Sequence, residues 1–300
     1  MVTLDGGDGR PPLWPPRRIQ EHVPYRLGGG VDLALDDEPS VPGDTFDSGH
    51  TPLTTHSDVR VRTKRPIGAP WQAGETTNWP TAVRPLMEVA PGICTHAIEW
   101  SYGEYVEPLS VHVVEGETTV LVGGGDESIA EAVLDVARTH DVDVVLVEHA
   151  HIDHYGAVPT IRRELDVDVA IPAGDAAALR EVGIEPDVTL EDGDQPWGIE
   201  AIATPGHTPG NMAYRAGDVL LAGDTVVASD SVFAASEDWS GPLAVIEARF
   251  NTDDAAARRS VARLREIDVE RVLVSHGSHV LDGVEEAIQT LCRDLDASPR

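Results

Sequence analysis

The run Val142-Asp143-Val144-Val145-Leu146-Val147 is almost continuously apolar and β-branched, and it leads directly into Glu148-His149-Ala150-His151-Ile152-Asp153-His154. A strand without polar alternation is buried on both faces, as a central strand covered by helices or by a second sheet would be. Just ahead of it, Ser128 to Thr139 carries apolar residues at helical spacing, so a β-α-β order emerges. The order continues with a helix near Ala157 to Leu165, a strand at Val167 to Ile171 and a helix at Ala176 to Val182. Strands follow at Ile199 to Ala203, Met212 to Arg215 and Val219 to Ala222. A helix over Asp254 to Ile267, a strand at Arg271 to Ser275 and a helix from Val284 to Leu295 complete it. The class this predicts is α/β with helices outside.

Upstream, LMEVAPGICTHAIEW and LSVHVVEGETTVLVGGG read as strands with turns at Pro91-Gly92 and Glu115-Gly116, and WSYGEY as a hairpin bearing Tyr102 and Tyr105. Residues 1–85 have another texture: PPLWPP, LGGG and GAPWQAG are turn and linker signals without periodicity. That segment holds 9 of the 22 basic residues but only 11 of the 52 acidic ones. We expect a Pro/Gly-rich extension over 1–85, disordered or arising from a start assigned too early, and one folded domain over 86–300. An apolar fraction of 41% in 300 residues suffices for a sizeable core.

The sequence contains no run of eighteen apolar residues and no leader-like segment at its start, and Cys94 and Cys292 are too few for a disulfide framework. The expectation is a cytoplasmic protein, away from the membrane. A net charge of −30 disfavours nucleic acid as a partner. With lysine only at Lys64, the composition also resembles the surface chemistry of extreme halophiles.

Chemistry concentrates where the buried strand ends. His149, His151 and His154 with Asp153 place three imidazoles and a carboxylate within six residues, at the strand end where α/β folds set their ligands. These donors suit zinc, and also iron or manganese. His149 and His151 share a direction on an extended loop, whereas Asp153 and His154 turn toward a second position, which suggests two ions. Downstream, His207 in TPGHTPG, Asp224 in AGDT and His276 in SHG each sit in a glycine-containing turn after an apolar strand. Singly, each has a dull reading as a cap or a loop histidine; the seven together match a dinuclear site.

The ordered set resembles the metallo-β-lactamase-fold superfamily, whose His-x-His-x-Asp-His signature is met by His149, His151, Asp153 and His154 over a similarity spanning about residues 86–300. The resemblance implies a four-layer αββα sandwich. It also implies that His149, His151 and His207 hold one divalent ion, that Asp153, His154 and His276 hold another, and that Asp224 bridges them. Zinc is the first expectation for both ions, with iron or manganese next. TPGHTPGN is similar to the branch containing glyoxalase II and the lactonases. The implied reaction is attack by a hydroxide shared between the ions on an ester, thioester or lactone carbonyl of a small molecule, with Asp153 orienting it or taking its proton.

Two departures from the family pattern bear on tuning. Leu121-Val122-Gly123-Gly124-Gly125 stands where many members have L-I-D-T-G, leaving Asp126 as the candidate replacement for a missing carboxylate. Glu148 replaces a common Thr or Ser and reads equally as an acceptor for a ligand N–H or as a solvated strand end. Tyr155 and His279 lie near ligands in sequence and are cleft candidates, with packing as the alternative. His96, His112 and His140 lack metal-like spacing. Rival readings are a phosphodiesterase or nuclease on the same site, against which the absence of a basic exosite speaks, and a mononuclear iron persulfide dioxygenase. A flavin-linked electron carrier is disfavoured by His151. The residues after His276 are too few for the helical domain of a full glyoxalase II, so no glutathione thioester is singled out, and monomer and homodimer stay equally open.

Overall fold

The computed structural model describes residues 87–297; the expected extension over 1–85 lies outside the described residues. Among the described residues there are two large sheets and one short two-stranded pair. The larger runs in chain order from β1 (Met87–Ala90) through β2 (Ile93–Tyr102), β3 (Tyr105–Val114), β4 (Val120–Val122), β5 (Val144–Leu146) and β6 (Asp168–Pro172) to β7 (Val188–Leu190). β1 to β4 pair antiparallel and β4 to β7 parallel. The smaller sheet contains β8 (Ile199–Ala203), β9 (Met212–Ala216), β10 (Val219–Leu221) and β13 (Arg271–Leu273), in the order β13-β10-β9-β8. The short pair β11 (Val227–Ala228) and β12 (Leu243–Ala244) lies between β10 and β13 in the chain.

Burial follows the two-residue alternation of strands. Val120, Val122, Val144, Leu146 and Ala170 of the large sheet meet Ala201, Tyr214, Val219, Leu221 and Leu273 of the small one in an inter-sheet core. The intervening residues Leu121, Val145, Val147, Val169 and Ile171 face the opposite way. They pack under α1 (Ala130–Thr139), α3 (Val158–Glu164) and α4 (Ala176–Glu181) through Val133, Val136, Ile161 and Leu179. On the far side, Ile202, Leu220 and Val272 pack against Val261 of α5 (Asp254–Val261) and against Val284, Ile288 and Leu291 of α6 (Val284–Ala297). The layers are therefore helix, sheet, sheet, helix, the expected sandwich. VDVVLV lacks polar alternation because both of its faces are interior.

Element bounds follow the sequence patterns with explicable differences. The helical pattern over Asp254 to Ile267 is α-helical only to Val261 and tightens to a 3-10 turn over Ala262–Glu266. The run at 142–147 pairs as a strand only over Val144–Leu146. β7 and the β11–β12 pair carry too few residues for periodicity to register. Among the described residues no helix is long and apolar enough to cross a membrane.

At one edge of the sandwich the two sheets are stitched together. Ser110 N–H donates to Ser275 O at 2.9 Å, and Met212 N–H donates to Glu148 O at 3.1 Å. The loops after β4, β5, β8, β10 and β13 all open there.

Candidate metal centre

β5 delivers Glu148 and His149 at its C-terminal end, and the chain then crosses in extended form (His151 φ −99°, ψ 152°) into the one-turn helix α2 (Ile152–Tyr155). The extended step and the turn send the donors two ways, as the sequence spacing predicts. His149 and His151 turn toward His207, in the loop after β8. His207 Nε2 lies 3.2 Å from His149 Nε2 and 2.9 Å from His151 Nδ1. Asp153 and His154 turn toward Asp224 and His276. His276 Nε2 lies 3.2 Å from an Asp153 carboxylate oxygen.

Asp224 stands between the two groups. Its Oδ2 is 3.2 Å from His207 Nε2 and 3.9 Å from His149 Nε2. Its Oδ1 is 3.4 Å from His154 Nε2 and 3.6 Å from His276 Nε2. One carboxylate thus presents one oxygen to each imidazole set. All seven side chains are buried, and they sort into His149, His151, His207 and Asp153, His154, Asp224, His276, each group with its donor atoms within 4.8 Å of one another.

The residues fit divalent ions. His154 Nε2, Asp153 Oδ1 and Asp224 Oδ1 are buried without a hydrogen-bond partner, an arrangement that is costly unless a cation uses these lone pairs. The electrostatics agree. Burial by itself would lower the His276 pKa, but the Asp224 charge and hydrogen bonds to Asp153 and Glu107 push it up to about 10. Burial likewise opposes charge on His154, and the Asp224, Glu148 and Asp153 carboxylates overcome it and hold that imidazole well above its ordinary value. Burial would raise Asp224, yet the His276 and His154 charges hold it well below the usual carboxylate range. A buried centre that draws protons onto two imidazoles calls for positive charge. At the other position burial, with neighbouring imidazoles, pushes His149 and His151 well down, so each imidazole is neutral at neutral pH and has one unprotonated ring nitrogen.

Neighbouring side chains set the imidazole tautomers. His154 donates Nδ1–H to Glu148 Oε2 at 3.2 Å, and His276 donates Nδ1–H to Glu107 Oε1 at 3.1 Å. His207 faces Asn251 Oδ1 through Nδ1 at 2.9 Å, and the Asn251 amide is oriented by its own N–H to Asp254 at 2.8 Å. Each contact protonates Nδ1 and leaves Nε2 to the centre.

Of the two readings of Glu148, the acceptor for a ligand N–H is the one realised: the residue is 1% exposed. Asp126 is not the replacement carboxylate. It accepts from Ser128 N–H at 2.7 Å and caps the turn at Glu127–Ile129, because its side chain follows the start of that turn and not the strand end. Gly123-Gly124-Gly125 forms the turn between β4 and the helical segment that follows, and Gly124 N–H donates to His154 O at 2.7 Å. Tyr155 packs half-buried against the helix-side core, since α2 points it away from the donors. His279 also stays outside the donor set. It lies 3.1 Å from Thr95 Oγ1 and accepts from Val274 N–H at 3.3 Å, because it follows the turn after His276 back over β13.

Three residues were not picked out from the sequence. Glu107 is the inward neighbour of Val106, which is 72% exposed; an acidic residue in the apolar phase of a strand was the available signal. Asn251 has none short of the fold. Asp175, 2% exposed, accepts from Ala150 N–H at 2.8 Å, Thr208 Oγ1–H at 2.6 Å and Gly210 N–H at 2.7 Å. It ties the His149–His151 loop to the His207 loop.

Comparison with known proteins agrees with this geometry. The family model described as the metallo-beta-lactamase superfamily matches residues 106–276. A hydroxyacylglutathione hydrolase of Acidiphilium cryptum is 32% identical over 112 residues, covering 37% of this chain and 45% of that protein. The "Probable metallo-hydrolase YflN" of Bacillus subtilis is 27% identical over 241 residues, covering 64% of this chain and 89% of that protein. The match spans less than half the length of the hydroxyacylglutathione hydrolases. Among solved structures, a metallo-beta-lactamase from Pontibacter korlensis superposes with a TM-score of 0.56 at 21% identity, over 72% of this chain and all of that one; this likeness concerns the fold.

Proposed function

The chain belongs to the metallo-beta-lactamase superfamily, and from that membership we propose that it is a two-metal hydrolase of small-molecule esters, thioesters or lactones. The observation that carries this reading is the Asp224 carboxylate, with Oδ2 toward His207 and Oδ1 toward His154 and His276. A single-ion centre would need no donor facing both ways.

In this reading His149, His151 and His207 would hold one ion and Asp153, His154 and His276 the other, with Asp224 available to both; zinc heads the candidates, before iron and manganese. Ions held there would supply Lewis-acid activation of water and of a substrate carbonyl. The protein's own residues do the rest. Asp153, buried within the centre, orients the attacking water or takes its proton and later returns it to the leaving group. Glu148, Glu107 and Asn251 keep Nε2 of three imidazoles directed inward, so little reorganisation accompanies reaction. Trp100 and Phe233, with ring centroids 5.8 and 4.9 Å from that of His276, exclude water on that side. Two free, buried cysteines support the reducing cytoplasm as the setting.

The test is a panel of thioesters, lactones, aryl esters and phosphodiesters with zinc, manganese or iron, alongside metal analysis. The expected result is carbonyl hydrolysis with two ions per chain, abolished in His151→Ala together with loss of one ion. Phosphodiester cleavage alone, oxygen uptake with persulfide and one iron, or a fully active His151→Ala protein would each overturn the proposal.

A further inference from the structure

The two halves of the centre are backed differently. Behind His154 stands Glu148 at 3.2 Å, and behind His276 stands Glu107 at 3.1 Å. Both carboxylates are buried, their side chains 1% and 8% exposed. Glu107 is held by further bonds: Oε1 accepts from Ser231 Oγ–H at 3.0 Å, and Oε2 accepts from Val232 N–H at 3.1 Å. On the other half, His207 is backed by the neutral amide of Asn251, and His149 Nδ1 is buried without a partner. Counting Asp153 and the shared Asp224, four carboxylates surround the His154–His276 position. At the three-histidine position Asp224 Oδ2 lies 3.2 Å from His207 and 3.9 Å from His149, and the Asp153 and Asp224 charges both act on His151.

The place of Glu148 depends on a second feature. A Cβ on Gly123, which sits at φ +86°, would come 3.5 and 3.8 Å from the two carboxylate oxygens of Glu148. A Cβ on Gly223 would come 3.1 Å from Glu148 Cβ and 3.2 Å from its Cγ. The stem and carboxylate of Glu148 lie in the space that these glycines leave open. A longer side chain at 123, such as the aspartate of the related pattern, would compete with Glu148 for it.

We infer that Glu148 and Glu107 are positioning residues that make the two metal positions unequal, so that the Asp153–His154–His276 position binds its ion first and more tightly, and that the glycines at 123 and 223 admit Glu148 for this purpose. A carboxylate accepting the Nδ1 proton raises the basicity of Nε2, and in a buried setting its charge attracts a cation more strongly than an amide dipole can. The inference rests on the two-ion reading above.

The experiment is a zinc titration of the metal-free full chain in competition with a chromophoric chelator, applied to wild type, E148Q, E107Q and H151A, with circular dichroism as a check on folding. Wild type is expected to bind two ions of unequal affinity. E148Q and E107Q are each expected to weaken the tighter ion by about 10- to 100-fold and leave the weaker one unchanged, whereas H151A removes the weaker ion only. A glutamate that merely supported the fold would weaken both ions or neither. If E148Q fails to fold, E107Q decides. Two ions in wild type with the tighter one unmoved in E107Q, or lost in H151A, would overturn the inference and leave the two-ion hydrolase standing. No more than one ion in wild type would overturn that underlying reading as well.

Discussion

At the scale of single residues, the centre depends on groups that never face the reacting atoms. Asp175 is the clearest case, because one carboxylate closes three hydrogen bonds from two separate loops, Ala150 on one and Thr208 and Gly210 on the other. Removing it leaves buried N–H groups without acceptors, each worth about 1–3 kcal/mol. Asp175→Ala should therefore lower stability by about 3 kcal/mol or more and weaken binding at the three-histidine position, read by thermal melting and chelator competition; an unchanged melting temperature would contradict the role. Cys94 is a residue of the opposite kind. Burial, with the nearby Glu115 and Glu88 charges, pushes its thiol up to about 12. It should resist a thiol reagent at pH 8 in the folded chain and react on denaturation, as measured by absorbance.

At the scale of elements, the segment after β5 contributes four donors and the ends of β8, β10 and β13 one each, and the helices supply the layers that make the strands buried. α6 contributes no donor, yet Leu291 on it is fully buried among Val272, Val274 and Leu264. Leu291→Ala should cost about 2–5 kcal/mol of stability by opening a cavity. Because this core lies on the outer face of the small sheet, the substitution should leave zinc stoichiometry at that of wild type; loss of an ion would show that the layers are coupled. The extended step from β5 into α2 decides more of the site than any other element. A straight continuation of the strand, or an immediate helix, would point all four donors of the motif to different places.

At the scale of the whole molecule, charge is the dominant property. The chain carries −30 overall, and self-repulsion on this scale opposes the compact state unless screened. Raising potassium chloride from about 0.1 M to 2 M, where the Debye length falls from about 10 Å to a few Å, should raise the melting temperature by calorimetry. A melting temperature that falls with salt would mean that the exposed ion pairs, such as Arg138 with Glu164, outweigh the repulsion.

The sequence by itself determined which side chains are candidate donors and which faces are buried. Val142 to Val147 could only be an interior strand, and the spacing of the His149–His154 run suggested two positions, because both properties are written in residue type and in local periodicity; the places of His207, Asp224 and His276 in the set came from the family resemblance. What tertiary structure alone decided is which group stands behind each donor. Glu148 faces His154 instead of solvent only because the loops carrying Gly123 and Gly223 close around it, Glu107 meets His276 across 169 residues of chain, and Asp126, adjacent to the glycine turn in sequence, is spent on a cap. Those pairings join residues with no common local pattern, through the closing of two sheets at one edge. The run at His149 to His154 thus specifies a metal centre, and the packing around it specifies how the two halves of that centre differ.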